Sequence, residues 1–146
     1  LKILRASIQD LDRVAVLFNQ YRMFYKKPSD LEEARHYLEE RLANDESIIF
    51  IAVDNDACLG FTQLYPSFSS VYLKPIWKLN DLFIAEHARN RGIGRQLLAA
   101  AREHAVLTGS KAVILETDHD NFHAQHLYEK NGYVRDDEVY YYTLTL

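Results

Sequence analysis

Two glycines and three arginines crowd into the seven residues Arg89-Asn90-Arg91-Gly92-Ile93-Gly94-Arg95, just ahead of a long amphipathic run. Glycine lets the main chain approach a ligand closely, because no Cβ stands in the way. The first-turn N–H groups of a helix have no intrahelical acceptor and lie at the positive end of its dipole, so a helix opening on these glycines is an anion site. Arg89, Arg91 and Arg95 add positive charge around the same point, and the chemistry indicated is capture of a phosphate or diphosphate. A nucleotide-hydrolysing loop needs Gly-Lys-Ser/Thr, but Arg95-Gln96 follow Gly94 here. A dinucleotide-binding turn is closer, with Gly92-x-Gly94 opening a helix and Glu116 placed as a ribose-binding acid would be. It fails on Leu97, which stands where the third glycine belongs, and on the seven residues between Ile84 and Gly92, where such a turn follows its strand directly. A coenzyme A diphosphate meets neither objection.

Other reactive groups are fewer. Asp81 is a carboxylate inside an otherwise apolar stretch, residues 77–84; such a group accepts a proton, holds a cation or bonds neighbouring backbone. Tyr128 is one of ten tyrosines, and spacing alone gives it no role. Cys58, the single cysteine, excludes an internal disulfide and a cysteine-based zinc site, has no histidine near it in sequence to activate it, and fits a reducing cytoplasm. His119, His123 and His126 are spaced as ligands on one helical face would be. Asn121 starts that helix, however, leaving His119 outside it, and no His-Glu-x-x-His is present, so they read as surface histidines and no metal is expected.

The elements that hold these groups follow from periodicity. Residues 3–5 form a short opening strand. Asp10 caps a helix with Leu11, Val14, Leu17, Phe18 and Tyr21 at helical spacing. Ser29 and Glu32 make a capping box for a second helix over residues 31–44. Residues 47–53 and 58–65 pair as a hairpin across Asp54-Asn55-Asp56, a Ser- and Pro-containing loop covers 66–75, and 77–84 is a further strand. Residues 92–107 are an amphipathic helix stopped by Gly109, 111–117 a buried strand and 121–130 a helix. Residues 133–146 read as two strands around the acidic turn Asp136-Asp137-Glu138. This order mixes an antiparallel hairpin region with a βαβ crossover, an α/β class.

At 146 residues the chain suits one domain, 1–146, with a single core. A net charge of −4 argues against nucleic acid as a partner and suits a cationic one. No apolar run approaches the ~20 residues that span a bilayer, so no membrane partner is expected. The first ten residues lack the basic start and apolar stretch of a secretory signal.

Arg89-x-x-Gly92-x-Gly94 resembles the signature of the GNAT (GCN5-related N-acetyltransferase) superfamily, Gln/Arg-x-x-Gly-x-Gly/Ala. A second segment is similar too: a strand at 112–117, then Asn121, Ala124 and Leu127-Tyr128-Glu129-Lys130-Asn131-Gly132-Tyr133. Leu4-Arg5-Ala6-Ser7 with Asp10, and Gly60-Phe61, extend the likeness to nearly the whole chain. Tyr21-x-x-Phe24-Tyr25, the stretch from Gln63 to Ser70, and Leu79-Asn80-Asp81-Leu82-Phe83 look like the branch holding the yeast Hpa-type histone and polyamine acetyltransferases, whose members tend to dimerise.

The resemblance implies a mixed, mostly antiparallel twisted sheet, splayed at its middle and flanked by about four helices. It implies acetyl-CoA as co-substrate, its diphosphate on the amides of Arg89, Asn90, Arg91, Gly92, Ile93, Gly94 and Arg95 and its arm along Leu82, Phe83 and Ile84, with Asn121 bonding the arm. An amide near Leu82 would polarise the acetyl carbonyl. Tyr128 matches the family's general acid: a phenol of ordinary pKa ~10 can protonate a departing thiolate. Asp81, beside the implied reaction point, is the first candidate to take the proton from the acceptor amine, while Asn80 could only orient it. Ser67, Ser69 and Ser70 are candidates for the acceptor pocket. The acceptor expected is a small polyamine-like amine or a protein lysine, the assembly a homodimer, and the location cytoplasmic. The competing expectation is a non-catalytic acyl-CoA-binding module of the same fold.

Overall fold

The computed structural model describes residues 1–146, which fall into two compact units, Leu1–Glu116 and Thr117–Leu146. The first unit is built on a five-stranded sheet in the order of the sequence: β1 (Lys2–Arg5), β2 (Ile48–Asp54), β3 (Ala57–Ser69), β4 (Lys74–Ile84) and β5 (Val113–Ile114). All neighbours are antiparallel except β4 and β5. Between β1 and β2 the chain forms α1 (Leu11–Phe24) and α2 (Leu31–Ala43); α3 (Ile93–Leu107) is the crossover that makes the last pair parallel.

The helices form where apolar spacing demands, but their caps differ from the sequence expectation. Ser7, not Asp10, does the capping: its hydroxyl accepts from the Gln9 N–H while the Asp10 carboxylate reaches back to the Ser7 N–H at 2.8 Å, closing a short 3-10 turn ahead of α1. Asp10 also bonds Arg13, which takes its remaining oxygen. Asp30, rather than the expected Ser29, caps α2 by accepting from the Glu33 N–H at 3.1 Å. Ser29 is engaged instead by the Asn19 side chain at 3.0 Å.

The expected loop at 66–75 is mostly strand. β3 and β4 continue past the sheet as a long hairpin, with Pro66 opposite Trp77 and Pro75 opposite Phe68. Pro66 is tolerated because β2 stops pairing at Leu64, and Pro75 because it needs only to accept, its carbonyl taking the Lys111 N–H at 2.8 Å. The core lies around Phe61, Ile49, Ile51, Leu38, Val14, Ile93 and Leu97, all at most 2% exposed. Phe18 and Phe61 meet edge to face across the interface of α1 with the sheet.

In the second unit Asn121 caps α4 (Phe122–Lys130), its side-chain oxygen accepting from the Ala124 N–H at 3.2 Å. The two strands expected over 133–146 are not formed. A strand needs a ladder partner for its main chain, and no strand of the sheet pairs with these residues. The Glu138 N–H is satisfied locally by the Asp136 carboxylate, and Tyr140, Tyr142, Leu144 and Leu146 are exposed. No helix is long and apolar enough to cross a membrane.

Candidate active site

The glycine- and arginine-rich turn begins where β4 ends. Ala85 donates its N–H to the Leu59 carbonyl at 2.8 Å, a one-turn 3-10 helix follows at Glu86–Ala88, and Ala85 and Ala88 are buried, which anchors the loop from beneath. Asn90 and Gly92 then take left-handed conformations, φ +63° and +74°, before Ile93 enters α3. The first nitrogen to bond back along the helix is that of Gln96, to the Gly92 carbonyl at 3.2 Å. The N–H groups of Ile93, Gly94 and Arg95 precede it and have no helical acceptor. A Cβ placed on Gly92 would meet nothing within 4 Å, so the space before these donors is open. That combination fits an anionic group such as a diphosphate.

Gly60 sets the depth of this turn. A Cβ there would come within 2.8 Å of Ile84 Cδ1, 3.1 Å of the Phe83 carbonyl oxygen and 3.3 Å of Ile93 Cγ2. Only glycine lets the end of β4 and the start of α3 close over β3 in this way. The three arginines are not equivalent, which revises the expectation that all face one point. Arg89 folds back, donating from Nε to the Ile84 carbonyl at 3.1 Å with its guanidinium 5.6 Å over the Phe83 ring. Arg91 lies 3.8 Å from the Asp54 carboxylate, and Arg95 is exposed on the first turn of α3.

The expected strand at 111–117 is reduced to Val113–Ile114, because β4 and β5 pair only as Trp77 with Val113 and Lys78 with Ile114. Past this point no strand lies along that side of β4, so residues 79–84 present an unpaired edge. Leu82, Phe83 and Ile84, expected to hold an extended arm, lie on this edge and are half-buried. An edge of alternating donors and acceptors fits an amide-bearing extended ligand.

Asp81 sits on the same strand next to an irregularity. Gln63 pairs with Asp81 and Leu64 with Leu79, which makes Asn80 the extra residue of a β-bulge. Asp81 is 4% exposed, and its carboxylate accepts from Gln63 Nε2 at 2.7 Å, from Asn80 Nδ2 at 3.0 Å and from the phenol of Tyr21. Burial pushes its carboxyl above the ordinary 3.8, and these three donors only partly offset that. Its own carbonyl is held by the Thr62 hydroxyl at 2.8 Å.

Tyr128 and Asn121 belong to the second unit. Tyr128 is half-buried on α4, its ring 5.8 Å from that of Tyr133. The Asn121 oxygen is used in capping, which leaves its amide nitrogen for any ligand. His119, His123 and His126 are exposed. Ser69 accepts from the Tyr72 N–H at 3.3 Å and so shapes the hairpin turn, while Ser67 and Ser70 are exposed. Cys58 contacts the Gly60 carbonyl at 3.6 Å, and burial pushes its thiol up to about 11. Gln63, Tyr21 and Ser47 were missed as site residues by the sequence reading. A glutamine inside the apolar run of β3, like the aspartate inside β4, is the signal that would have found the first of them.

Comparison with known proteins gives one answer. Residues 14–133 match the acetyltransferase (GNAT) family model. The uncharacterized N-acetyltransferase YhfO of Bacillus subtilis (strain 168) is 48% identical over 146 residues, covering 100% of this chain and 98% of its own. The D-amino-acid N-acetyltransferase HPA3 of Saccharomyces cerevisiae is 35% identical over 82 residues, 56% of this chain and 51% of its own. A crystal structure of a probable acetyltransferase superposes with a TM-score of 0.95 at 42% identity, covering 100% of this chain and 98% of that one. An open anion cradle at the head of α3, an unpaired strand edge leading to it and a full-length match to a named N-acetyltransferase agree: the chain belongs to the GNAT family and is an acetyl-CoA-dependent N-acetyltransferase.

Proposed function

We propose that the enzyme transfers acetyl directly to the nitrogen of a primary amine, with Asp81 taking the ammonium proton and Tyr128 protonating the departing thiolate. Bound acetyl-CoA supplies the activated thioester. The N–H groups of the turn from Arg89 to Arg95 hold its diphosphate, the edge at Leu82, Phe83 and Ile84 holds its arm, and the Asn121 amide bonds the same arm. A main-chain N–H near Leu82 stabilises the negative charge that develops on the acetyl oxygen; losing one such preplaced donor typically costs on the order of 3 kcal/mol.

The acceptor must lose a proton before it attacks. For an amine of pKa ~10 that step costs roughly 4 kcal/mol at pH 7. The observation that carries the proposal is the place of Asp81, a carboxylate 4% exposed on the strand that leads into the cradle; that burial raises its proton affinity. The ammonium first gives one proton to Asp81; as the N–C bond forms and the C–S bond breaks, the Tyr128 hydroxyl protonates sulfur and the second nitrogen proton restores the phenol, so acetyl passes from sulfur to nitrogen without bonding to the enzyme.

The acceptor is a small polyamine-like amine or a protein lysine, in line with a net charge of −4. We read residues 1–146 as one catalytic domain, since the family match runs from the first unit into the second. Exposed apolar side chains at 140–146 support a homodimer, and the lone reduced thiol of Cys58 suits the cytoplasm. Thiol release from acetyl-CoA across a panel of amines tests the core of this reading. Turnover with at least one primary amine, lost in Asp81→Asn, is expected; full turnover in Asp81→Asn would remove that residue from the mechanism.

A further inference from the structure

We propose that Gln63 is a positioning residue for Asp81, holding its carboxylate in one orientation through an amide that Ser47 in turn fixes. The inference rests on Asp81 as the proton acceptor. Gln63 lies on β3 directly opposite Asp81 and is fully buried, at 0% exposure. A glutamine amide can point either way round, and here the choice is forced. The Ser47 hydroxyl donates to Oε1 at 2.8 Å, which turns Nε2 toward Asp81 Oδ2 at 2.7 Å. Ser47 is itself only 5% exposed, so the whole chain Ser47–Gln63–Asp81 is screened from water.

Packing does not call for a polar chain at this place. The strand partner of Gln63 on β2 is Ile49, and Phe61 and Leu64 beside it are fully buried. An apolar side chain of similar length would fill the position, whereas buried polar groups stabilise a fold only when every bond is made. Of the three donors on the carboxylate, the two amides differ in exposure. Asn80 is exposed on the bulge, where water competes for its bond; Gln63 is not. Gln63 therefore fixes Oδ2 from a water-excluded position, while Oδ1 carries the bond from the exposed Asn80.

The groups facing Asp81 are the phenols of Tyr21 on α1 and Tyr65 on β3. From α2, the Tyr37 hydroxyl lies 2.6 Å from that of Tyr65, with the Arg41 guanidinium 4.5 Å over the Tyr37 ring. Burial raises the Tyr65 phenol and the Arg41 guanidinium is raised by its bond to Tyr37, so neither titrates in the carboxylate range, and the acid limb of the rate profile is assigned to Asp81. Removing a donor from a carboxylate favours its protonated form, and that limb must then move to higher pH.

The test measures kcat/KM against pH, by thiol release, for the wild type, Gln63→Leu, Ser47→Ala, Asp81→Asn and the Gln63→Leu/Asp81→Asn double variant. Gln63→Leu is expected to lower kcat/KM ~10- to 100-fold and to raise the acid limb by about one pH unit, the scale of one hydrogen bond to a buried charge. Ser47→Ala moves both in the same direction by a smaller step, about 3-fold in rate. The double variant falls no further than Asp81→Asn, because the two residues act as one unit. An unmoved limb in folded Gln63→Leu, or an undiminished extra loss when Asp81 is already asparagine, overturns the positioning role. If Asp81→Asn itself keeps the acid limb, the proton-acceptor reading falls and takes the positioning role with it. Should Gln63→Leu not fold, Ser47→Ala decides by the same limb.

Discussion

Gly92 and Gly109 form a matched pair for testing the anion cradle. Both have left-handed φ, +74° and +68°, and at both a Cβ would meet nothing within 4 Å. One opens α3 and the other closes it. Alanine at either position costs about 1–2 kcal/mol in backbone strain. At roughly 3 °C per kcal/mol for a chain of this size, each variant should melt about 3–6 °C lower. Their effects on coenzyme binding should part sharply. The methyl of Gly92→Ala projects into the open space before the N–H groups of Ile93, Gly94 and Arg95, and pushes an anion beyond hydrogen-bonding range. Losing one charge-assisted bond, about 1.5–3 kcal/mol, corresponds to roughly a 10- to 100-fold rise in Kd. The Gly109 variant has no such neighbour and should bind within about 2-fold of wild type, below the energy of even one neutral hydrogen bond. Calorimetric titration with coenzyme A beside thermal melts gives both quantities. Equal Kd values in two equally destabilised variants would show that the head of α3 is not where the diphosphate sits.

Tyr128→Phe should lower kcat at least ~10-fold with the Kd for coenzyme A unchanged, since general acid contributions usually exceed that factor; single-turnover kinetics beside calorimetry separates the two. Cys58→Ser should keep full turnover, and with its thiol near 11 the wild-type cysteine should react with a disulfide reagent at pH 7.5 at least ~10-fold more slowly than free cysteine. Gly60→Ala must displace the Phe83 carbonyl or Ile93; it should cost about 1–3 kcal/mol in a chemical denaturation curve and also weaken coenzyme binding. The Asp81 carboxyl is raised above 3.8, so just above that pH the folded chain keeps a proton that the unfolded chain has released. Its stabilising contribution is present below pH 3.8 and is lost as pH rises through the raised value. Asp81→Asn should therefore gain in melting temperature over wild type as pH increases, and a constant difference from pH 4 to pH 8 would contradict the assignment.

Local signals in the chain were enough to place the cradle. Gly92 and Gly94 flanking Ile93, ahead of Leu97, Leu98, Ala101 and Ala105, describe a glycine-headed amphipathic helix without any knowledge of tertiary contacts. The hairpin over Asn55 and the helices at 11–24 and 31–43 were legible for the same reason. What could not be read depends on partners far away in sequence. The extension of β3 through Pro66 is permitted because pairing with β2 ends at Leu64, and β5 finds partners on β4 only at Trp77 and Lys78. Gln63 looked like one polar residue in a strand until the register put it opposite Asp81 and the entry to β2 put Ser47 behind it. The tail at 133–146 has the β-prone composition of a strand, but propensity is no substitute for a ladder partner.

The bare flank of β4 at residues 79–84 carries a consequence for handling the protein. The main-chain groups that this edge turns outward are a template for any passing extended chain, and such edges are where proteins begin to aggregate. A ligand that occupies the flank removes the template and adds RT ln(1 + [L]/Kd) to stability, about 2.7 kcal/mol at a hundredfold excess over Kd. Solubility and shelf life should thus track how much coenzyme A accompanies the preparation, and dialysis alone should shorten both.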